Sequence, residues 1–413
     1  MWNHFFRSGG WLMVSLLALL PSQAVAEVGP AMTGFTGRAN DALAVFWSPA
    51  ALTRLDKPEL VAQGMLVYSE AKFEVDSATF DGGSADNDNR LLAIPGIYYA
   101  HPLGDRWRLG VSLNVPSGIG NNYGRSWSGR YLSEDSELAF VATSGVAAYK
   151  VSDSLSLAAG GFLIYTSAET KARINNLDPD TGDGRIDVDE DGSDVGLMLG
   201  AMYEFSDATR VAATYRSAVE PKLSGTPTFR NLDPLLRDVL AAADLLGTEV
   251  DVKFKVPAQL QAGFYTEFSD RWSMTGDMMW VNMSDFGVSR LSVEQDSLTV
   301  DIKEYRDMLI GSAGFKYQYR PDRAISAGAI YVSSAISDAR RSIALPLDRI
   351  LGVGVGLTRP CRDYVCQINL NYFDLGDGDL SESGGLLTGD IEGSFRKHWA
   401  MMLDFQVKMQ FGK

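Results

Sequence analysis

The feature that most constrains this chain is a long alternation of apolar and polar residues. From Trp399 to Phe411 every second residue is apolar, and most of the residues between them are polar. Successive side chains of a β-strand point to opposite faces, so this stretch predicts a strand with one apolar face. Residues 107–115 and 254–268 repeat the pattern. The chain is therefore expected to consist mainly of long, two-faced strands.

Fourteen such stretches follow one another along the chain. They occupy residues 59–70, 90–101, 105–118, 136–150, 153–170, 192–205, 208–222, 251–268, 271–289, 304–319, 322–335, 347–358, 363–375 and 395–411. Tight turns follow the even-numbered strands, and long polar loops follow the odd-numbered ones. This is the pattern of an outer-membrane barrel, whose short turns are periplasmic. We predict an all-β fold, a 14-stranded antiparallel transmembrane β-barrel over residues 59–413.

Loop length separates this fold from others that alternate. A soluble β-sandwich also alternates, so alternation alone leaves it open. Short turns at one end and long loops at the other favour the barrel, whose closure pairs every backbone N–H and C=O as lipid requires. Beyond residue 30 no apolar run approaches the roughly 18 residues that a spanning helix needs. A helical membrane protein is excluded.

Residues 1–26 have the pattern of a secretory signal peptide. Arg7 precedes an apolar run over residues 11–20, and Ala24-Val25-Ala26 supplies small residues for peptidase cleavage. The run is too short to span a bilayer, which disfavours a membrane anchor. We predict cleavage before Glu27 and export from the cytoplasm.

Charge and histidine content bear on two further classes of function. The chain has 37 basic and 52 acidic residues and a net charge of −15, whereas nucleic-acid binding needs clustered Lys and Arg. After cleavage only His101 and His398 remain, and the strand order places them at opposite ends. A Ser-His-acid triad needs its members within hydrogen-bond reach, so we expect neither nucleic-acid binding nor an enzyme.

Several segments carry a resemblance to a known family. They are Pro-Ser-Gly at 116–118, Tyr-Gly-Arg-Ser-Trp-Ser-Gly-Arg-Tyr at 123–131, residues 146–157, Tyr-Arg-Ser at 215–217 and Trp280. Together they resemble the FadL and toluene-transporter family of long-chain fatty acid and hydrophobic-compound transporters. The resemblance extends from about residue 31 to the C-terminus. It implies passive import of hydrophobic compounds across the outer membrane of a Gram-negative bacterium.

The segment before the first strand, residues 27–58, resembles the N-terminal plug, or hatch, of that family. The family carries an Asn-Pro-Ala motif there, and this chain has Ser48, Pro49 and Ala50. A serine hydroxyl can also bond to neighbouring backbone and begin a turn, so we expect the plug to be retained. A strand-free arm is the alternative, but the segment is too apolar to hang in the periplasm.

The loop predicted after the fifth strand contains part of a calcium motif. From Asp183 the order Asp-Gly-x-Ile-Asp-x-x-Glu matches the second half of an EF-hand loop, with Asp187 inside it and Glu190 at the bidentate position. The preceding acids are out of register by one residue, so a standard loop does not close. A weak calcium site at Asp183, Asp187 and Glu190 and a solvated acidic loop are both open. We expect no cofactor other than such a structural calcium.

The loop predicted after the seventh strand contains an amphipathic helix. Apolar residues stand at helical spacing between residues 232 and 246, with Asp233 and Pro234 as a start and Gly247 as a stop. In the resembled family this loop contributes to an external hydrophobic groove. The resemblance assigns that role to Leu235, Leu236, Val239 and Leu240. A helix that only caps the barrel has the same pattern, and both interpretations are open.

The two cysteines, Cys361 and Cys366, flank the turn after the twelfth strand. Strand parity places this turn in the periplasm, where a bridge can persist. Across a hairpin end their spacing can bring the Cα atoms to bridging distance. We predict a disulfide, with two free thiols as the alternative.

The outer part of the third strand contains residues that a barrel wall tolerates poorly. Pro116 has no N–H for the ladder, and Gly118 has no side chain to pack. A missing hydrogen bond in lipid costs several kcal/mol. The resembled family has a kink in its third strand that opens a lateral window, which assigns Asn114, Pro116 and Gly118 to such an opening. A strand that has already left the membrane at Pro116 is the alternative.

These observations predict passive transport of a hydrophobic small molecule, most directly a long-chain fatty acid, with sideways release from the barrel. The other expected partners are outer-membrane lipid and lipopolysaccharide, and the protein is expected to be a monomer. A surface-binding adhesin or phage receptor is the first alternative, and a general porin for polar solutes is the second. Because a plugged barrel would conduct few ions, conductance separates the transporter from the porin.

Overall fold

One closed antiparallel sheet accounts for most of the chain in the computed structural model. The structure describes residues 29–37, 41–86, 91–176, 180–242, 245–293, 296–298, 305–338, 341–343 and 348–412. The predicted signal peptide, residues 1–26, lies outside the described residues. None of the described helices is long and apolar enough to cross a membrane.

The described residues form a wall of fourteen strands, several of them in two or three segments. They are β1 (Glu59–Ala78), β2 (Leu92–Leu103), β3 (Trp107–Asn122), β4 (Asp135–Lys150), β5 (Leu155–Ile174), β6 (Gly184–Ser206), β7 (Thr209–Arg216, Lys222–Gly225 and Thr228–Arg230), β8 (Val250–Lys255 and Gln259–Ser269), β9 (Trp272–Val281 and Gly287–Val293), β10 (Met308–Arg320), β11 (Arg323–Val332), β12 (Ile350–Cys361), β13 (Tyr364–Asp374 and Asp379–Ser383) and β14 (Asp390–Gln410).

Helices and short strands make up the remaining elements. The α-helices are α1 (Ala44–Trp47), α2 (Pro234–Ala242) and α3 (Gly385–Thr388), and the 3₁₀ turns are Pro30–Met32, Pro49–Arg54 and Met283–Asp285. Two short strands, Ala85–Asp86 and Asp296–Leu298, pair with β1 and β9 outside the wall.

The sheet closes on itself because its first and last strands pair. The register of β1 with β14 runs from Glu59 opposite Gln410 to Ala78 opposite Ile391. β2 pairs along the other edge of β1, and each later strand pairs with the strands that precede and follow it in the chain. Tight hairpins follow the even-numbered strands, as between Leu103 and Trp107 and between Arg320 and Arg323. The predicted strand number, closure and turn parity are confirmed.

The two faces of the wall have the polarity of a barrel in lipid. Outward-facing apolar side chains are exposed, for example Leu197 at 66% and Val355 at 59%, while inward-facing polar ones such as Gln406 and Asp404 are buried. Aromatic rings mark both edges of the apolar band. Trp272 packs against Tyr317 near the short turns, and Trp399 lies near Tyr372 at the opposite edge. An apolar band between aromatic girdles is typical of outer-membrane barrels.

Several predicted strand boundaries were wrong. β1, for example, ends at Ala78, eight residues beyond its predicted end. β6 begins at Gly184, eight residues before the predicted start, because residues 185–187 pair with both β5 and the third segment of β7. The alternation predicted to be continuous over residues 254–268 is interrupted at residues 256–258. Phe254 is buried in the interior and Leu260 is 49% exposed on the outside, although both are even-numbered. Pro257 lies in this interruption, where it needs no ladder N–H.

Candidate functional site

The N-terminal segment, residues 29–37 and 41–55, lies inside the barrel. It is almost wholly buried, and its backbone bonds to inward-facing side chains on strands around the circumference. The Ala42 N–H donates to Glu59 at the β1–β14 seam, and the Ala31 N–H donates to Asn371 on β13. This is the position expected of a plug.

Charged side chains of the wall bind the backbone of this segment: arginines donate to carbonyl groups, and a carboxylate accepts from N–H groups. The guanidinium of Arg216 on β7 donates to the Phe46 carbonyl at 2.8 Å, and Arg108 on β3 donates to the Leu55 carbonyl. Both carbonyls lie at the ends of helical turns, where C=O groups lack intrahelical donors. Where the segment instead presents N–H groups, at residues 34–37, the acceptor is the carboxylate of Asp277 on β9.

The Ser48, Pro49 and Ala50 motif forms the junction between two helical turns. Ser48 ends α1, its N–H donating to the Ala44 carbonyl, and Pro49 begins the following 3₁₀ turn. Proline suits this first position because it needs no N–H donor there. The Ser48 hydroxyl is buried and has no hydrogen-bond partner among the described residues. The turn therefore forms without a bond from this side chain.

An apolar region fills the interior on the outer side of this segment. Its centre is a row of four rings, Phe140, Phe254, Phe286 and Tyr305, hereafter the aromatic row. Neighbouring ring centroids are 6.1, 5.2 and 5.7 Å apart. Phe140 lies on β4 and Phe254 on β8, with three strands between them in the wall, so these rings meet across the lumen. Burial raises the pKa of the Tyr305 phenol.

The wall departs from regular pairing beside the aromatic row. The ladder between β2 and β3 ends at the pair Gly96 and Asn114, and within the described residues the outer part of β3 has no partner on β2. On the β4 side Asn114 pairs with Ala142 and Ser117 with Phe140, so Val115 and Pro116 form a bulge. Asn114, Pro116 and Gly118 therefore lie at an irregular part of the wall. Passage of a ligand through it stays a prediction.

The helix predicted in the loop after the seventh strand is present and shorter than its apolar pattern. The Asp233 carboxylate accepts the Leu236 N–H at 2.7 Å and caps the start of α2. Leu236 is buried, whereas Leu235 and Val239 are exposed at 60% and 55%. Leu240 is half-buried. One apolar side of α2 thus packs inward while another faces outward.

The predicted calcium ligands do not come together. The segment from Gly184 is strand rather than loop, and Asp187 and Glu190, three residues apart, point to opposite faces of β6. Asp183 bonds to Arg130 and Tyr131, while Asp187 bonds to Arg185. No group of three His, Cys, Asp or Glu side chains in the described part of the chain could hold a metal ion. The predicted calcium geometry at this loop was wrong because arginines and the strand period separate the acids.

The periplasmic end has a disulfide and a polar pocket. Cys361 and Cys366 form the predicted bridge across the β12–β13 hairpin, with their Cα atoms 5.7 Å apart. A pocket of about 500 Å³ lies between the end of the N-terminal segment and the turns after β4 and β6. Arg54 and Glu204 form an ion pair in it. Burial lowers the pKa of Arg54, and Tyr265 and nearby carboxylates act in the opposite direction.

Sequence reasoning missed the aromatic row and the wall residues that hold the N-terminal segment. Asp277 was a detectable signal, since it is a lone acid at an inward position of a strand. Phe254 was not, because its strand was expected to keep one parity. The two histidines lie at opposite ends as predicted, with His101 near a short turn and His398 in the outer half of β14, next to Trp399 of the outer girdle.

Comparison with known proteins gives relatives in sequence and fold. The model of the family described as outer membrane protein transport protein (OMPP1/FadL/TodX) matches residues 17–410. A long-chain fatty acid transport protein of Escherichia coli O6:H1 is 22% identical, with 80% of each chain covered. Outer membrane protein P1 of Haemophilus influenzae is 21% identical, with 79% of each chain covered.

Two solved structures have the same fold. A Pseudomonas aeruginosa FadL homologue has a TM-score of 0.84 at 19% identity, covering 95% of this chain and all of that one. The Pseudomonas putida toluene transporter TodX has a TM-score of 0.67 at 18% identity, covering 94% and 99%. The family model spans almost the whole chain, and the barrel, its polarity and its girdles agree with it. The chain belongs to the OMPP1/FadL/TodX family of outer membrane transport proteins, which places it in the outer membrane of a Gram-negative bacterium.

Proposed function

We propose that this protein carries hydrophobic small molecules passively across the outer membrane, with long-chain fatty acids as the first substrates to test. The observation that supports this most directly is the aromatic row, which lies within an apolar part of the barrel interior. A nonpolar ligand gains from burial against these rings and gains nothing from a water-filled lumen. Fatty acids and toluene are substrates named for relatives of this chain.

In this proposal the N-terminal segment is a plug, and the ligand leaves sideways. The segment occupies the lumen on the periplasmic side of the aromatic row, and the pocket below it is polar. A hydrophobic ligand would have to cross charged groups to leave in that direction. The irregular part of β3 at Pro116 adjoins Phe140, so it offers a shorter path from the rings to lipid. The protein would work as a monomer in contact with outer-membrane lipid and lipopolysaccharide.

Uptake of radiolabelled oleate and toluene, in cells with and without the protein, tests this function. We expect faster uptake of at least one compound when the protein is present. If neither compound enters cells with the protein faster than cells without it, the surface-binding alternative is favoured. Low ion conductance in a planar bilayer is expected for the plugged barrel, and large, steady conductance would favour the porin.

The exit path is tested by restoring regular structure in β3. The variant Pro116→Val with Gly118→Val is expected to slow uptake of the transported compound because new N–H and side-chain contacts close the break. Gly145→Val on β4 is the control, since a Cβ there meets no atom within 4 Å. A double variant that folds, reaches the outer membrane and imports at the parental rate would exclude the lateral route.

A further inference from the structure

Three inward-facing glycines stand side by side on neighbouring strands. Gly314 on β10 pairs with Gly328 on β11, which pairs with Gly354 on β12. A Cβ added to these glycines would lie 2.5 Å from the Thr33 Oγ1, 2.5 Å from the Pro30 carbonyl oxygen and 2.8 Å from the Ala31 nitrogen, respectively. Such distances are too short for any side chain. The three glycines, hereafter the glycine seat, therefore let the backbone of residues 30–33 lie directly against the wall.

Polar side chains hold the same stretch on both sides of the glycine seat. Asn371 on β13 accepts the Ala31 N–H at 2.6 Å. On β9 the Asp277 carboxylate accepts N–H groups from Gly34 at 2.7 Å, Thr36 at 3.0 Å and Gly37 at 3.4 Å. Ser312 on β10 also donates to it. The wall thus recognises the main chain of residues 31–37.

The role of Asp277 is not shared by every buried acid of the lumen. Asp404 on β14 is also buried, but it accepts hydrogen bonds from Gln63, Asn369 and Gln406, which are all wall residues. Ala31 and Met32 have φ of 52° and 55°, a left-handed conformation that non-glycine residues rarely adopt. Backbone of this kind persists where its surroundings fix it. The seat and its polar neighbours provide those surroundings.

We propose that the glycine seat, with Asp277 and Asn371 beside it, is a latch that fixes residues 30–37 in the lumen and keeps the barrel closed to ions and polar solutes. This rests on the proposed role of the N-terminal segment as a plug. In the latch Asp277 is a positioning residue, because it acts through the segment and not on the transported molecule. Loss of the latch frees this stretch of the plug while the ladders of the wall remain intact.

The test uses the full protein in lipid bilayers, with two latch variants and two matched controls. Asp277→Ala removes the acceptor, and Gly328→Ala places a methyl group against Pro30. Asp404→Ala removes a buried acid that bonds to wall side chains, and Gly311→Ala adds a methyl group on β10 where nothing lies within 4 Å. Hydrogen exchange of the peptide covering residues 29–37 and single-channel conductance are measured on all four. A folded band that resists SDS without heating shows that the strands of the wall are still assembled into a barrel.

We expect amide exchange of residues 29–37 to rise about tenfold or more in the latch variants, as for local opening, together with higher ion conductance. Both controls should match the parent. Unchanged exchange in folded latch variants, or an equal rise in Asp404→Ala, would overturn the latch. Faster exchange without added conductance would support the fixing of residues 30–37 by the latch and contradict the role of the N-terminal segment as a plug. If Asp277→Ala does not fold, Asp277→Asn keeps one acceptor oxygen, and faster exchange in it is the expected result.

Discussion

At the scale of single residues, the interior is organised by the backbone groups of the N-terminal segment. Arg216 is the clearest case, because its guanidinium donates to the Phe46 carbonyl and to Gln259 and Gln261 while it lies over the Phe46 ring at 4.6 Å. A planar fork with several donors suits this arrangement better than a point charge. Arg216 therefore stabilises the interior through the geometry of its donors as well as through its charge.

Arg216→Lys is therefore expected to weaken the folded protein by about 2 kcal/mol, because several charge-assisted hydrogen bonds are lost at a buried site. Urea unfolding in liposomes measures the effect. Arg106→Lys, at an exposed rim position where Arg106 bonds to Tyr149, should change stability little. If Arg216→Lys is as stable as the parent, the fork geometry of the guanidinium is not needed.

The disulfide makes a separate contribution. Only four residues lie between Cys361 and Cys366, so closing this loop stabilises the fold by about 2 kcal/mol at most in the chain-entropy model. We expect no thiols to react with an alkylating agent under denaturing, non-reducing conditions. Two modified thiols would contradict the bridge, and Cys361→Ser with Cys366→Ser should still assemble.

At the scale of elements, the start of a helix is set by residues that are neighbours in the chain. Asp233 begins α2 as the sequence predicts, because an Asx side chain can accept the N–H three residues ahead whatever surrounds the helix. The helix nevertheless ends at Ala242, before the apolar pattern does. Its exposed side, with Leu235 and Val239, is the part available for a hydrophobic groove.

Asp233→Ala is expected to destabilise α2 by about 1 kcal/mol through loss of its cap. Hydrogen exchange of residues 234–242 should become faster, with the barrel strands unchanged. Asp238→Ala, an exposed position inside the same helix, is the control. Equal exchange in both variants would show that packing of Leu236, and not the cap, sets the stability of α2.

At the scale of the whole molecule, the inverted polarity of the wall makes the cost of a charge depend on depth. Val355 lies near the middle of β12 on the outside, and Val151 lies at the turn after β4. Val355→Arg is expected to cost about 2–4 kcal/mol and Val151→Arg about 0–1 kcal/mol, because the bilayer centre cannot hydrate the guanidinium. Unfolding in liposomes of both variants tests this. Equal costs would mean that β12 does not cross the hydrocarbon core.

The sequence by itself determined the barrel. Strand number, turn parity, the inward and outward faces of most strands and the disulfide all follow from a period of two, from turn residues and from spacing along the chain. These are short-range properties, and lipid enforces them because each unpaired backbone group in hydrocarbon is costly. The Asp233 cap and the irregular stretch at Pro116 belong to the same class.

Only the tertiary structure decided what meets across the lumen. Phe140 and Phe254 are 114 positions apart in the sequence, and the interruption at residues 256–258 turns Phe254 inward against the parity of its strand. Asp183 and Asp187 match calcium-ligand positions in the sequence, but in the fold Arg130 pairs with Asp183 and Arg230 with Asp187. The glycine seat is visible only when Gly314, Gly328 and Gly354 fall into register. Barrel closure sets each of these contacts, because it fixes which distant residues share the interior, and no local pattern carries that information.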